Sequence, residues 1–296
     1  MTEERKIWHW VVVAILSLTW GTSYILIKKG LESFSSLQIG SLRILITFLC
    51  LLPISLRNLH KINRTNINSI LIIGFFGSGI PAYLFPFAQT RISSSLASML
   101  NTLSPVFTLV VGLIFYKRMV IKSQITGVLL GLTGAVGLLY AGSFSFNSYG
   151  LLVILATLLY GINANEVSRV RGINGLQITS LAFLVISPMA IGYLLFSDFS
   201  QTTATEHWLR NLGCIVLLAV LGSALAQALF YLLIRDTSPV FGSMVTYFIP
   251  IISTLWGVAD NEEFTVSMIV SVVVILAGVY IINRASLRKF ILRING

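Results

Sequence analysis

Apolar stretches of about 20 residues recur along the whole of this chain, and each is long enough as a helix to cross the roughly 30 Å hydrocarbon core of a bilayer. Ten such windows can be drawn, near residues 8–28, 37–56, 67–88, 94–115, 121–142, 149–167, 174–196, 212–233, 239–259 and 265–283. The breaks between them are short, and the longest, around 197–211, is too small for a separate domain. Only 10% of the residues are charged and the mean hydropathy is +0.89, whereas a soluble fold keeps about a quarter of its residues charged. A cytosolic enzyme and a secreted binding module are therefore excluded, and an all-α membrane protein is expected. Because apolar segments continue to residue 283, the first is read as a span of the mature protein and not as a cleavable signal.

The net charge of +10 invites a nucleic-acid reading, but its distribution answers it. Fifteen of the 20 Lys and Arg residues fall on the side of the N-terminus, in clusters such as Arg57, Lys61, Arg64 and Lys117, Arg118, Lys122. Lys28, Lys29, Arg91 and Arg210 fall on the other side, and Arg43 lies within the second span. Excess positive charge marks the cytoplasmic face, which puts both termini in the cytoplasm, as an even number of spans requires. The expected partners are a small-molecule substrate and membrane lipid, with no nucleic acid and no second copy of the chain.

The chain also resembles itself. At an offset of 145 residues Asn101-Thr-Leu-Ser-Pro105 falls on Thr246-Tyr-Phe-Ile-Pro250, Ser98-Met99 on Ser243-Met244, Gly77-Ser78 on Gly222-Ser223, Phe85 on Phe230 and Gly112 on Gly257. Near the start the offset is 140, pairing Trp20-Gly21 with Tyr160-Gly161, and near the end it is 144, pairing Gly134 with Gly278. The expected division is a first five-helix repeat over 1–144 and a second over 145–296. Five is odd, so the second repeat enters the membrane inverted, the design by which secondary transporters exchange two conformations of near-equal energy around a central cavity.

Polar side chains within spans are costly and so point to where such a cavity lies. In span four Ser94, Ser98, Asn101, Pro105 and Thr108 form one stripe at helical spacing, and in span nine Ser243, Tyr247, Pro250 and Thr254 repeat it. Pro105 and Pro250 read as matching bends that gate the cavity, since proline leaves a carbonyl unpaired. Trp20, Ser23 and Tyr24 in span one, Ser78, Tyr83 and Gln89 in span three, Tyr160 and Asn163 in span six, and Ser223, Gln227 and Tyr231 in span eight complete a predicted lining of aromatic walls with a few amides and hydroxyls. Trp8, His9 and Trp10 lie at the membrane edge and read as an interfacial anchor.

Ionisable groups are few. Arg43 is read as snorkelling to the outer face, and Glu166, closing span six beside Arg169 and Arg171, as an interfacial ion pair with ion coupling as the functional alternative. With no Lys or Arg expected at cavity depth, a phosphorylated substrate would lack a charge partner. No G-x-x-x-x-G-K-[ST] motif is present, and His9, His60 and His207 fall at span edges or in loops, so neither ATP hydrolysis nor a hydrolytic triad is expected. Cys50 and Cys214 are isolated, and no cofactor and no metal site are expected.

Taken in order, Trp20-Gly21, Arg43, the S-S-S-L-A-S-M-L-N-T-L-S-P entry to span four and P-V-F-G-S-M-V-T-Y-F-I-P in span nine resemble the drug/metabolite transporter superfamily, in its EamA-type ten-helix branch, over essentially the whole chain. That resemblance implies that spans one, three, four, six, eight and nine surround the cavity, and export of an amino acid or similar metabolite across a bacterial inner membrane. A passive channel or a substrate-sensing receptor is the alternative. One departure stands out: members of this branch often carry Glu just after span four, where this chain has Lys117-Arg118, while the second half keeps Glu262-Glu263.

Overall fold

The computed structural model describes residues 3–117, 122–140 and 147–294, with side chains left aside at 3–6, 201 and 283–294. The junction of the two expected repeats at 144–145, Arg118, and the side chains of Arg5, Lys6, Arg284, Arg288, Lys289 and Arg293 lie outside this description. Among the described residues every element is helical. Nine helices among the described residues are long and apolar enough to cross a membrane: α1 (Ile7–Leu31), α2 (Ser36–Lys61), α3 (Ile67–Gln89), α4 (Ser94–Tyr116), α5 (Lys122–Leu139), α6 (Ser148–Val167), α7 (Gly175–Leu195), α8 (Trp208–Asp236) and α9 (Pro239–Ala259). A shorter apolar helix follows, α10 (Val266–Ile282), whose backbone continues as helix to Ile294.

Local chemistry sets the ends of these helices, and it does so in pairs. At the start of α2 the Ser35 hydroxyl accepts from the Gln38 N–H and the Gln38 side chain accepts from the Ser35 N–H, a capping box that satisfies two orphan donors. Asn174 and Gln177 do the same for α7, 139 residues on. Helix α4 ends at Lys117 with φ of 50°, and α9 runs out through Asn261 with φ of 56°. The N–H of Lys117 donates to the Gly112 carbonyl and that of Glu262 to the Gly257 carbonyl, so both closures use the residues that the 145-residue offset relates.

Besides the 3₁₀ turn over Leu59–Lys61 that ends α2, four of the described helices are irregular in their interior. Helix α3 widens to a π segment over Phe75–Gly79, and α8 to another over Leu218–Leu225. Helix α4 is interrupted between Ser94–Asn101 and Ser104–Tyr116. Helix α9 passes from Pro239–Gly242 through a 3₁₀ turn over Ser243–Tyr247 to Ile249–Ala259. Pro105 and Pro250 each stand in the first turn of the second segment, where a backbone N–H has no helical partner in any case, so neither proline removes a hydrogen bond. The expected bends are thus tightened turns that precede the prolines, with Thr102 and Leu103 bonding back to Met99 and Leu100, and Phe248 to Val245.

Packing follows the same pairing. Gly21 on α1 lets Ile252 of α9 come so close that an added methyl carbon would fall 2.5 Å from its Cβ, and one added at Gly161 on α6 would fall 2.8 Å from the backbone of Phe107 on α4. Phe107 and Ile252 are themselves 145 apart, so each of these helices crosses to the opposite half of the chain at a related point. Helices α5 and α10 meet through Gly127 and Gly278, whose backbones approach closely enough for dispersion contacts to hold two apolar helices together in a lipid solvent. Outside, Leu113, Ile114, Phe115, Leu255, Val258, Val266 and Val270 are exposed, an apolar belt that suits hydrocarbon and would aggregate in water. Trp8 and Trp10 are exposed at its edge, whereas His9 is buried with Nε2 3.9 Å from Asp236.

Candidate functional site

Where the irregular helices meet, the chain encloses a cavity of about 90 Å³. Its walls come from α1 (Trp20, Ser23, Tyr24, Ile27), α2 (Arg43), α3 (Gly77, Phe85), α4 (Asn101, Ser104, Thr108), α6 (Tyr160, Asn163, Ala164), α8 (Gln227, Phe230) and α9 (Ser243, Thr246). The π segments supply its polar framework, because widening a helix releases carbonyls from the ladder. Gln227 Nε2 donates to the Gly77 carbonyl at 3.0 Å, and Trp20 Nε1 donates to the Gly222 carbonyl at 2.9 Å. Those two carbonyls are 145 residues apart, and each takes up a side chain from the other half. Behind them Ser78 donates to Gln227 Oε1 at 3.0 Å, while Tyr231 binds Gln227 Nε2 at 2.7 Å and Asn163 Oδ1 at 3.1 Å. Phe85 stacks on Tyr160 and Phe230 stands edge-on to Trp20, giving aromatic walls to a polar floor.

One end of the cavity is closed. Toward the N-terminus of α4 and the C-terminus of α9, the hydroxyls of Ser98 and Ser253 are in hydrogen-bond contact, and Ser95 Oγ donates to the Ser253 carbonyl at 3.4 Å. Beyond them Glu262 accepts from the Ser94 N–H at 3.0 Å, the Ser94 hydroxyl at 2.8 Å and the Ser95 N–H at 3.1 Å, so its carboxylate caps α4. Lys28 bridges Glu262 at 2.8 Å and Asp260 at 2.7 Å; Lys29 binds Asp260 at 2.8 Å and Glu32 at 2.9 Å. Burial of the Glu262 carboxyl opposes its ionisation, but Lys28 and the Ser94 and Ser95 donors outweigh this and hold its pKa at about 2. Lys28 and Lys29 likewise keep Asp260 below the usual carboxylate range.

The related contact in the other half is open. At the offset of 145, Ser98 falls on Ser243 and Ser253 falls on Thr108. Ser243 and Thr108 both line the cavity, and their hydroxyls donate within their own helices, to the carbonyls of Val240 and Ser104. The position related to Glu262 is Lys117, which is exposed, so no carboxylate stands there to cap the neighbouring helix.

Of the residues singled out from the sequence, Trp20, Ser23, Tyr24, Asn101, Tyr160, Asn163 and Gln227 line the cavity. Ser78 and Tyr231 lie one layer behind it, and Ser98 sits in the closed contact. Tyr83 is turned away to Ser41 at 2.9 Å, and Tyr247 packs half-buried against the main apolar cluster. Gln89 is buried apart from the cavity, and its amide has no hydrogen-bond partner among the described residues. Glu166 is also remote from the lining: it accepts from the hydroxyls of Ser69 and Tyr116, both at 2.5 Å, with Arg169 at 3.7 Å. Sequence reasoning did not single out Ile27, Phe85, Ser104, Ala164, Phe230 or Thr246.

The largest correction concerns Arg43. It does not snorkel outward but turns into the cavity, where its Nε donates to Ser223 Oγ at 2.6 Å. The direction was set by the π segment of α8, which brings Ser223 against α2, and nothing in the local sequence of α2 reports that. The absence of a cation at cavity depth, and the argument drawn from it against anionic solutes, therefore falls. Among the described residues no group of three or more His, Cys, Asp or Glu side chains is placed to hold a metal ion.

Comparison with known proteins agrees with this architecture. The EamA-like transporter family matches residues 8–140 and again 147–284. An uncharacterized transporter of Archaeoglobus fulgidus is 24% identical over 93% of this chain and 98% of its own length. The uncharacterized inner membrane transporter YedA of Escherichia coli is 24% identical over 84% of this chain and 81% of its own. An S-adenosylmethionine/S-adenosylhomocysteine transporter of Chlamydia trachomatis is 22% identical over 94% of this chain and 90% of its own. A solved crystal structure with 16% identity superposes with a TM-score of 0.65, covering 94% of this chain and 97% of the other, which establishes likeness of fold. A multi-pass helical membrane protein whose sequence matches that family twice along its length, this chain belongs to the EamA-like transporter family of the drug/metabolite transporter superfamily and is a membrane transporter.

Proposed function

We propose that this transporter is a ten-span secondary carrier, built from repeats 1–144 and 145–296 in opposite orientation with both termini cytoplasmic, that exports a small organic metabolite, an amino acid or similar, across a bacterial inner membrane as a monomer. The observation that carries the reading is the asymmetry of two related contacts: Ser98 meets Ser253, while Ser243 and Thr108 stand on either side of the cavity. A carrier of this design works by exchanging which of the two contacts is closed, since the closure of one half mirrors the opening of the other. By the distribution of Lys and Arg the closed end is the outer one, sealed by Lys28, Lys29, Asp260 and Glu262. The lining of aromatic rings, amides and hydroxyls suits a small solute with an apolar part, and the Chlamydia relative is named as a transporter of S-adenosylmethionine and S-adenosylhomocysteine. Purified protein in liposomes preloaded with candidate amino acids tests this directly. Saturable uptake of label, accelerated by unlabelled solute on the far side, is expected; linear uptake without counterflow would indicate a channel, and binding without uptake a receptor.

A further inference from the structure

Among the described residues Arg43 is the one cation in the wall of the cavity, and no Asp or Glu lines it. Only its Nε is engaged, by Ser223; among the described residues its two terminal nitrogens make no hydrogen bond and no carboxylate pairs with it. The hydroxyl-bearing rings of Tyr24 and Tyr160 line the same cavity. An unpaired guanidinium in a low-dielectric site is expensive to keep, and chains retain one where something else supplies the counter-charge. Its planar fork presents parallel N–H donors, the geometry that a carboxylate accepts with both oxygens.

The asymmetry of the two halves sharpens the point. At the 139-residue offset set by the two capping boxes, Arg43 falls on Ala182, which is buried and carries no charge. A structural arginine required by the helix packing would have reason to appear in both halves; this one stands in a single wall and faces the shared space. Trp20, Tyr24, Phe85, Tyr160 and Phe230 line the same cavity, and their faces accept an apolar chain or an ammonium group equally well.

Resting on the carrier reading above, we infer that Arg43 is the substrate-binding residue for a carboxylate, and that the transported solute is a small carboxylate-bearing metabolite, zwitterionic or anionic, with an apolar or cationic remainder held on the aromatic wall. Polycations are excluded by the same charge. The two roles of the site divide accordingly: Arg43 fixes one end of the solute, and the rings tolerate variety at the other.

The test uses the full-length purified protein and matched probes: L-leucine, L-methionine and L-phenylalanine, each beside its C-terminal amide, with spermidine and inorganic phosphate as further arms. Unfolding is followed by tryptophan fluorescence, which Trp20 in the wall makes sensitive to the site. At least one free acid is expected to raise the melting temperature of the wild type while its amide does not. Arg43→Gln should lose that response by tenfold or more in apparent affinity, and Arg43→Lys should keep part of it. Equal stabilisation by acid and amide, an undiminished response in Arg43→Gln, or stabilisation by phosphate or spermidine in place of every free acid would overturn the inference, and so would no response to any probe. Should Arg43→Gln fail to fold, the acid-against-amide comparison in the wild type still decides. Counterflow of the same probes in liposomes separates the two levels: saturable counterflow of amides as well as acids would sink the carboxylate site and leave the carrier standing.

Discussion

Among single residues, Glu262 shows most plainly how one side chain can carry several duties. It caps α4, pairs with Lys28 and closes one end of the cavity, all through a carboxylate held ionised. Its pKa is lowered from 4.5 to about 2, so its contribution to stability is fully present above pH 4.5 and is lost as pH falls toward 2. Glu262→Gln should cost about 2 kcal/mol at neutral pH, the scale of a charged buried hydrogen-bond set, and should flatten the loss of melting temperature between pH 4.5 and 2. An acid dependence identical to that of wild type would show that the carboxylate is not engaged. The related position, Lys117, has a left-handed backbone and an exposed side chain, so the carboxylate contact of Glu262 is not repeated there.

At the level of elements, the interruptions in α4 and α9 decide where the cavity lies, and the prolines act by fixing the start of the second segments. The carbonyl of Asn101 takes the Ser104 hydroxyl at 2.8 Å across the break. Replacing Pro105 or Pro250 with Ala should therefore change stability by less than about 1 kcal/mol, since no hydrogen bond is lost or regained directly. It should still bias the break toward a continuous helix, and a bias of about 1.4 kcal/mol shifts an inward-to-outward ratio about tenfold. Pro105→Ala and Pro250→Ala are expected to shift accessibility labelling in opposite directions, with the double variant nearer wild type; shifts of one sign would refute a mirrored role. The spans, the offset of 145 and much of the lining were legible in the sequence because hydropathy, proline and glycine report on their own helix. The π segments of α3 and α8 were not, since a widened turn leaves no mark in composition, and with them went the direction of Arg43 and the partners of Trp20 and Gln227. Tyr83 and Tyr247 were misplaced for a related reason: a polar ring on the right helix can still face a neighbour.

For the whole molecule, the recurring feature is exchange between halves. Gly21 of α1 receives α9 and Gly161 of α6 receives α4; the carbonyls of Gly77 and Gly222 each take a side chain from across the chain; α5 and α10 meet at their glycines. Against that background the unequal contacts at the two ends of the cavity are the departure that calls for a functional reason, and the alternating access proposed above would supply one. The most direct measurement is to lock the closed contact. In a background of Cys50→Ser and Cys214→Ser, the pair Ser98→Cys and Ser253→Cys places two thiols where two hydroxyls now touch, within reach of a disulfide. Oxidation should abolish counterflow, reduction should restore it, and a cysteine at Asn101 should remain open throughout to a thiol reagent from the cytoplasmic side. Undiminished counterflow in the oxidised protein would contradict a carrier that must open this contact to complete its cycle.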